Sequence, residues 1–298
     1  MPQLSDNTRG ALLMMASMAC FTFGDACMKL ASADLPLSQL LVLRGLFASL
    51  IIYLVARRMN ALTLDLAARD WNLIALRAVA EVAAAWFFLT ALFNMPIANV
   101  TALLQMLPLT VTLASAVFFG EPVGWRRWTA ILIGFGGMLL IVRPGTEGFN
   151  AYSIYALIAV VCVTVRDLAT RRMSASVPSL TVTLSASLAV LLFAAVLSLG
   201  EDWQPLDAPL WGLVAAMSVF IIGGYLFSVM TMRTGEVGVV TPFRYTGLVW
   251  ALILGWAIFG EWPVPLTFLG AGIIIATGVF TLLREARARR LQAKTVRI

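Results

Sequence analysis

The sequence predicts an all-α integral membrane protein of ten transmembrane helices, arranged as two inverted five-helix repeats. Three observations carry this reading. Of 298 residues, 61% are hydrophobic and 12% charged, whereas a soluble globular chain is about 25% charged. The chain also divides into apolar stretches of roughly 20 residues, the length that crosses about 30 Å of hydrocarbon at 1.5 Å per residue. Finally, a short phrase occurs twice, as Phe118-Phe119-Gly120-Glu121-Pro122 and as Ile258-Phe259-Gly260-Glu261-Trp262-Pro263, and only the first copy is followed by arginines.

Ten stretches qualify as spans, at about 10–32, 37–55, 71–93, 97–119, 127–143, 151–170, 178–199, 209–231, 237–259 and 265–283. They leave connections of a few residues and no room for a soluble domain. The first is too long for a signal-peptide core and is followed by no small-residue cleavage site, so it reads as a retained helix. Cys20, Cys27 and Cys162 all fall inside spans. Cys20 and Cys27 are two turns apart, roughly 10 Å, beyond disulfide reach. The spacing implies neither a disulfide framework nor a metal site. Histidine is absent, which removes the commonest metal ligand and general base. No cofactor is expected.

Lys and Arg near the span ends set the orientation. With an internal N-terminus, the inside segments hold Arg9, then Arg57, Arg58 and Arg69, then Arg126 and Arg127, then Arg171 and Arg172, then Arg233, and finally six basic residues from Arg284 to Arg297. The outside loops hold Arg143 alone. Both termini are therefore expected in the cytoplasm, and the basic tail reads as an anchor near anionic lipid rather than a nucleic-acid site.

An odd number of spans per half forces the second half to enter the membrane upside down, so the two Phe-Gly-Glu phrases face opposite sides and only the cytoplasmic copy takes arginines. Residues 1–145 form the first repeat, 146–285 the second and 286–298 a basic tail. At an offset of 142, Cys20, Thr22, Asp25, Lys29 and Pro36 fall on Cys162, Thr164, Asp167, Arg171 and Pro178; at 140, Thr101, Gly120 and Glu121 fall on Thr241, Gly260 and Glu261. Inverted repeats are a recurrent build for secondary transporters, with the solute near the midplane.

The chain resembles the drug/metabolite transporter superfamily, in its ten-helix form with two EamA-type repeats. The residues that carry the resemblance are Arg44, Ala91 and Ala98, Pro108, Gly120 with Glu121, and Gly134 with Gly137, then Gly260 with Glu261, Gly270 and Gly278. The second half departs from the pattern, with Leu248 where the repeat has Pro108 and Ala186 where it has Arg44. Within the superfamily the chain looks most like the YddG-type exporters of aromatic and other neutral amino acids. The resemblance implies an inner-membrane, multi-pass carrier, monomeric or homodimeric, that exports small amphipathic metabolites by alternating access at a central cavity. It also implies structural roles for Arg44, Pro108, Glu121 and Glu261.

Intramembrane polar residues are costly and usually face protein or water. In span three, Arg77 and Glu81 share a face at i, i+4, with Trp86 further outward. Glu81 reads either as an ion-pair partner that eases insertion or as a proton-linked carboxylate or ammonium ligand. Span nine carries Pro242-Phe243-Arg244-Tyr245, and Tyr245 aligns with Gln105 of span four. Gln105, Arg244 and Tyr245 are expected to line the cavity, where the planar guanidinium suits a carboxylate. Trp86 and Trp250 lie away from the span ends and are candidate aromatic walls. The other seven tryptophans, Trp71, Trp125, Trp128, Trp203, Trp211, Trp256 and Trp262, sit where interfacial belts form. Asp25 with Lys29 and Asp167 with Arg171 are i, i+4 pairs of structural character. Glycines in spans five and ten allow close helix approach, and Gly223-Gly224 suggests a bend in span eight. Glu121 and Glu261 precede prolines and are placed to complement the next helix dipole.

An enzyme is not expected, since neither a GxSxG nor a phosphate-binding loop is present. The alternatives are a multidrug or nucleotide-sugar carrier of the same fold, or a non-transporting receptor or scaffold. The loop charges give a first test. Single cysteines in the 56–70 connection should resist a membrane-impermeant thiol reagent applied to intact cells, while one at residue 204 should react. The reverse labelling pattern would refute the inverted topology.

Overall fold

The computed structural model describes residues 6–120, 124–144, 149–174, 176–234 and 240–295, and every regular element among them is helical. The spans are α1 (Asp6–Ala31), α2 (Leu37–Arg58), α3 (Ala68–Asn94), the pair α4 (Ile97–Leu104) and α5 (Leu107–Phe119), α6 (Trp125–Val142), α7 (Tyr152–Arg172), α8 (Ser179–Ser198), α9 (Ala208–Thr234), the pair η1 (Thr241–Tyr245, a 3₁₀ turn) and α10 (Thr246–Phe259), and α11 (Pro265–Thr295). Among the described residues, eight spans are long and apolar enough to cross a membrane. Two shorter apolar helices, Trp128–Val142 and Pro265–Thr281, fall on the fifth and tenth.

Local sequence explains the boundaries. Pro36, Pro96 and Pro178 stand at the N-caps of α2, α4 and α8, where the missing N–H costs nothing. The two Phe-Gly-Glu phrases end α5 and α10 alike, because Gly120 (φ +62°) and Gly260 (φ +63°) are left-handed caps. The Gly260 N–H donates to the Trp256 carbonyl at 3.2 Å and the Glu261 N–H to the Gly255 carbonyl at 2.8 Å, so the left-handed residue satisfies the last carbonyls of α10. A side chain at either position would be strained by roughly 1–2 kcal/mol.

Two compact units form, and each draws spans from both sequence repeats. One contains Met1–Phe23, Met95–Ser153 and Phe220–Ile298, the other Gly24–Asn94 and Ile154–Val219. In the first unit α6 lies against α11 and α4 against α10. Gly134 meets Thr277, while Gly137 meets Gly270 and Ile273. Ile97 meets Gly255, and Gln105 meets Gly247. Both pairs are therefore antiparallel. In the second unit α8 packs on α2 and α3, and Gly45 meets Leu191 while the Ser49 and Ser187 hydroxyls lie 2.8 Å apart, which is again antiparallel. Spans two and seven, four and nine, and five and ten are the repeat counterparts, and each runs opposite to its equivalent, as inversion requires.

Polar groups tie the second unit at its ends. The Gln39 amide donates to the Gln204 carbonyl at 2.8 Å and accepts from the Gln204 N–H at 3.0 Å. Ser38 bonds Glu201. Thr181 accepts from the Thr63 N–H and donates to the Ala61 carbonyl, and Asp70 accepts from the Ser174 N–H at 3.0 Å. In the first unit, helix α9 runs unbroken through Gly223-Gly224. Their small size serves contact rather than a bend. A Cβ on Gly224 would sit 2.7 Å from the Phe21 ring, and the Ser17 hydroxyl donates to the Gly224 carbonyl at 2.8 Å.

The seven tryptophans assigned to the interface are all exposed, from 36% at Trp71 to 70% at Trp125. The three cysteines are free. Glu121 and Arg127, singled out by the motif, lie outside the described residues and side chains.

The glycines divide by the neighbours they touch, and the division can be measured. A Cβ on Gly137 would lie 2.8 Å from the Gly270 carbonyl, and one on Gly270 would lie 2.4 Å from that of Gly137. Gly136 and Gly272 have nothing within 4 Å. Gly137→Ala and Gly270→Ala should each lower stability in detergent by roughly 1–3 kcal/mol. Gly136→Ala and Gly272→Ala should leave it unchanged or raise it by up to about 1 kcal/mol through helix propensity. Equal melting-temperature shifts in all four would refute the close approach of α6 and α11.

Candidate functional site

The predicted site residues occupy two environments, one in each unit. In the first unit the fourth and ninth spans are both interrupted. Pro108, at the second position of α5, has no N–H to offer the Leu104 carbonyl, and its ring crowds that carbonyl. Leu104 is where α4 stops. The chain crosses the gap with tightened bonds: the Gln105 N–H is shared between the Thr101 and Ala102 carbonyls at 3.2 Å, and the Met106 N–H donates to Leu103 at 3.0 Å. Gln105 thus sits on the break itself. On the ninth span Pro242 lies within η1, and Arg244 and Tyr245 close that turn.

Gln105 lies beside α10, with its amide nitrogen 3.7 Å from where a Cβ on Gly247 would be. Arg244, Gly247 and Trp250 recur at a spacing of three across η1 and the first turn of α10, which puts them along one side of the segment. Arg244 is half-buried. Trp250 is half-buried too, with its ring centroid 6.0 Å from that of Phe23, and Phe23 stacks on Phe220 at 5.4 Å. Neither phenylalanine stood out in the sequence, since an apolar residue in a membrane span carries no signal of its own.

Tyr245 points elsewhere. It is 6% exposed, and its hydroxyl is buried without a hydrogen-bond partner among the described residues. The ring fills a notch at Gly278 of α11, where any Cβ would overlap the hydroxyl. Tyr245 therefore locks η1 to α11. Glu261 reaches back to α4: its Oε2 accepts the Ile97 N–H at 3.0 Å. It caps the first turn of a helix from the other repeat, a partner invisible in sequence.

In the second unit Glu81 of α3 lies between two arginines. Arg77 Nη2 is 3.6 Å from its Oε2, and Arg166 Nη1 of α7 is 3.3 Å from its Oε1. Arg166 also holds Asp167 at 2.9 Å, and Arg77 Nε donates to Thr170 at 3.1 Å. The four ionised side chains are 15–32% exposed. The sequence paired Glu81 with Arg77 alone; Arg166 of α7 is a second partner, and with the Arg77–Thr170 bond it joins the two helices. Trp86, one and a half turns further along α3, packs edge-on against Phe193 at 5.9 Å. Arg44 lies within electrostatic reach of Asp25.

Known proteins share both this sequence pattern and this architecture. The pseudopaline exporter CntI of Pseudomonas aeruginosa (strain UCBPP-PA14) is 28% identical over 280 residues, covering 92% of this chain and 96% of that one. The riboflavin transporter of Vibrio cholerae serotype O1 is 26% identical over 285 residues, 95% of each. The S-adenosylmethionine uptake transporter of Rickettsia felis is 25% identical over 202 residues, 65% of each. A crystal structure that aligns with a TM-score of 0.65 at 21% identity covers 95% of this chain and 99% of its own, and so shares the fold. The EamA-like transporter family matches twice, over residues 8–143 and 150–283. This chain accordingly belongs to the EamA-like transporter family, as a multi-pass carrier of small molecules and not an enzyme.

Proposed function

We propose that this carrier exports small amphipathic metabolites that bear a carboxylate and a large apolar group, of which aromatic and other neutral amino acids are the nearest class. It works by alternating access across the inner membrane, with both termini in the cytoplasm. The observation that carries the reading is Arg244, a permanent charge on the 3₁₀ turn of a broken span. It shares one side of that span with Trp250, and Gln105 stands on the break of the counterpart span. Irregular backbone at membrane depth is tolerated where it is buried in protein or lines a cavity, and broken spans are where carriers of this build bind solute. Arg244 takes the carboxylate, Gln105 meets a polar group, and Trp250 with Phe23 encloses the apolar part. The relatives are named for different solutes and for both export and uptake, so family membership alone fixes neither.

Glu81 reads best as a clamp between α3 and α7. Two guanidinium groups already share it, which leaves it poorly placed as a receptor for a lipophilic cation and so weighs against a multidrug carrier. Loss of its charge would leave Arg77 and Arg166 with Asp167 as the one carboxylate of this network among the described residues.

Two measurements test these roles. A charged hydrogen bond is worth about 1.5–3 kcal/mol, so Arg244→Ala should weaken binding of a carboxylate-bearing amino acid by roughly 10- to 100-fold. Arg244→Lys should recover part of it, because the planar fork is lost, and solutes without a carboxylate should be insensitive. Normal flux by correctly inserted Arg244→Ala protein in proteoliposomes would overturn the assignment. Glu81→Gln should cost roughly 1–3 kcal/mol of stability, between the values for exposed and buried pairs, and should leave the pH dependence of residual flux unchanged. A stable variant whose flux has lost its pH dependence would instead make Glu81 the proton-coupling group.

A further inference from the structure

Between the start of α6 and the second half of α11 runs an open groove of about 560 Å³, lined by Trp125, Arg126, Ile133, Ala276, Phe280 and Arg284 among others. Its two ends differ in chemistry. The apolar parts of these helices are Trp128–Val142 and Pro265–Thr281. Arg126 lies two residues before the first and Arg284 three residues after the second. Because α6 and α11 are antiparallel, both guanidinium groups stand at the same end of the groove, just where the two helices leave hydrocarbon.

Away from that end the lining turns mainly apolar, and the hydroxyls of its two threonines, Thr129 and Thr277, are bonded to carbonyls of their own helices. Ile133 is 56% and Phe280 41% exposed, and Ala276 adds a shallow floor. Ile133 is seven residues from Arg126, and Ala276 eight from Arg284, so the apolar floor extends roughly 10–12 Å inward from the charges. Among the described residues no carboxylate lines the groove, and neither arginine has an ion-pair partner. Arg126 rests 5.3 Å from the centroid of the Trp125 ring, a side chain that belongs at headgroup depth.

A cationic mouth at headgroup depth, opening on an apolar channel that faces the acyl region, complements one kind of molecule. We propose that this groove binds an anionic phospholipid, with its phosphate between Arg126 and Arg284 and an acyl chain laid over Ile133, Ala276 and Phe280. The loop charges assign this end to the cytoplasmic leaflet, whose anionic lipids attract basic segments. The six basic residues from Arg284 to Arg297 raise the local concentration of such lipids.

The test uses the full-length protein in detergent, with binding followed by native mass spectrometry and thermal unfolding. The probes are dioleoylphosphatidylglycerol, dioleoylphosphatidylcholine and inorganic phosphate. Phosphatidylglycerol should bind roughly 30-fold more tightly than phosphatidylcholine, from two basic contacts at the membrane surface, and should raise the melting temperature. The Arg126→Gln, Arg284→Gln double variant should fold and lose that preference. Ala276→Trp, at an exposed position, should weaken both lipids by filling the floor. Inorganic phosphate should protect in no case. Equal affinity for the two lipids, a preference that survives in the double variant, or protection by inorganic phosphate alone would overturn the proposal. So would a lipid-independent dimer that Ala276→Trp dissolves, which would make the groove an interface between copies.

Discussion

A peptide group inside hydrocarbon must find its partner within the protein, because no water is there to supply one. Uninterrupted helices meet this demand, so every interruption has to be accounted for bond by bond. At Gln105 the N–H groups that face the break stay bonded, that of Gln105 by a bifurcated bond and that of Met106 by a 3₁₀ bond, and α5 resumes at Leu107. The same kind of solution appears at Pro242, where the 3₁₀ turn η1 continues into α10. A polar side chain gains by sitting at such a point, since the backbone there already needs a polar setting. Gln105 and Arg244 stand on these two interruptions.

Hydrocarbon also removes the ordinary reason for helices to associate, because lipid tails are as apolar as leucine. Contact must then come from close approach. Gly137 and Gly270 let α6 and α11 touch nearly backbone to backbone, Gly134 takes the Leu109 and Thr277 side chains, Gly224 lets α9 take the Phe21 ring, and Gly278 takes the Tyr245 ring. Each of these glycines works by what it lacks. Filling such a notch with an aromatic side chain that ends in a polar group has a cost, and Tyr245 bears it: its hydroxyl is buried unbonded among the described residues, a state that typically costs about 1–3 kcal/mol. The close fit of the ring on Gly278 offsets that cost and fixes the turn that carries Arg244.

The ten spans were legible because length and hydropathy are properties of single segments. Inversion was legible from charge, since an odd count per half and the arginines after one Phe-Gly-Glu phrase require it, and the antiparallel counterpart spans agree. The division of the tryptophans into seven at the span ends and two within was legible for the same reason, as a property of position along one span. The features that stayed hidden depend on which helix meets which. The motif singled out Gly137 and passed over Gly136, but it did not say that Gly137 meets α11 while Gly136 faces open space. Glu261 was placed at the next helix and in fact caps α4. Arg166 carried no signal as a partner of Glu81, which it meets from another helix. A side chain shows its type in the sequence but not its partner, so pairs within a helix turn can be read and pairs across helices cannot.

This separation also accounts for relatives 28% and 26% identical to this chain over nearly its whole length being named for different solutes. The frame rests on backbone bonding, left-handed glycine caps and close-approach notches, none of which calls for a particular solute. On the reading proposed above, Gln105, Trp250 and Arg244 on the interrupted spans are the groups that meet solute, whereas Gly137 and Gly260 serve helix contact and helix capping. On that reading a solute preference is to be sought in the former set, and a loss of folding in the latter.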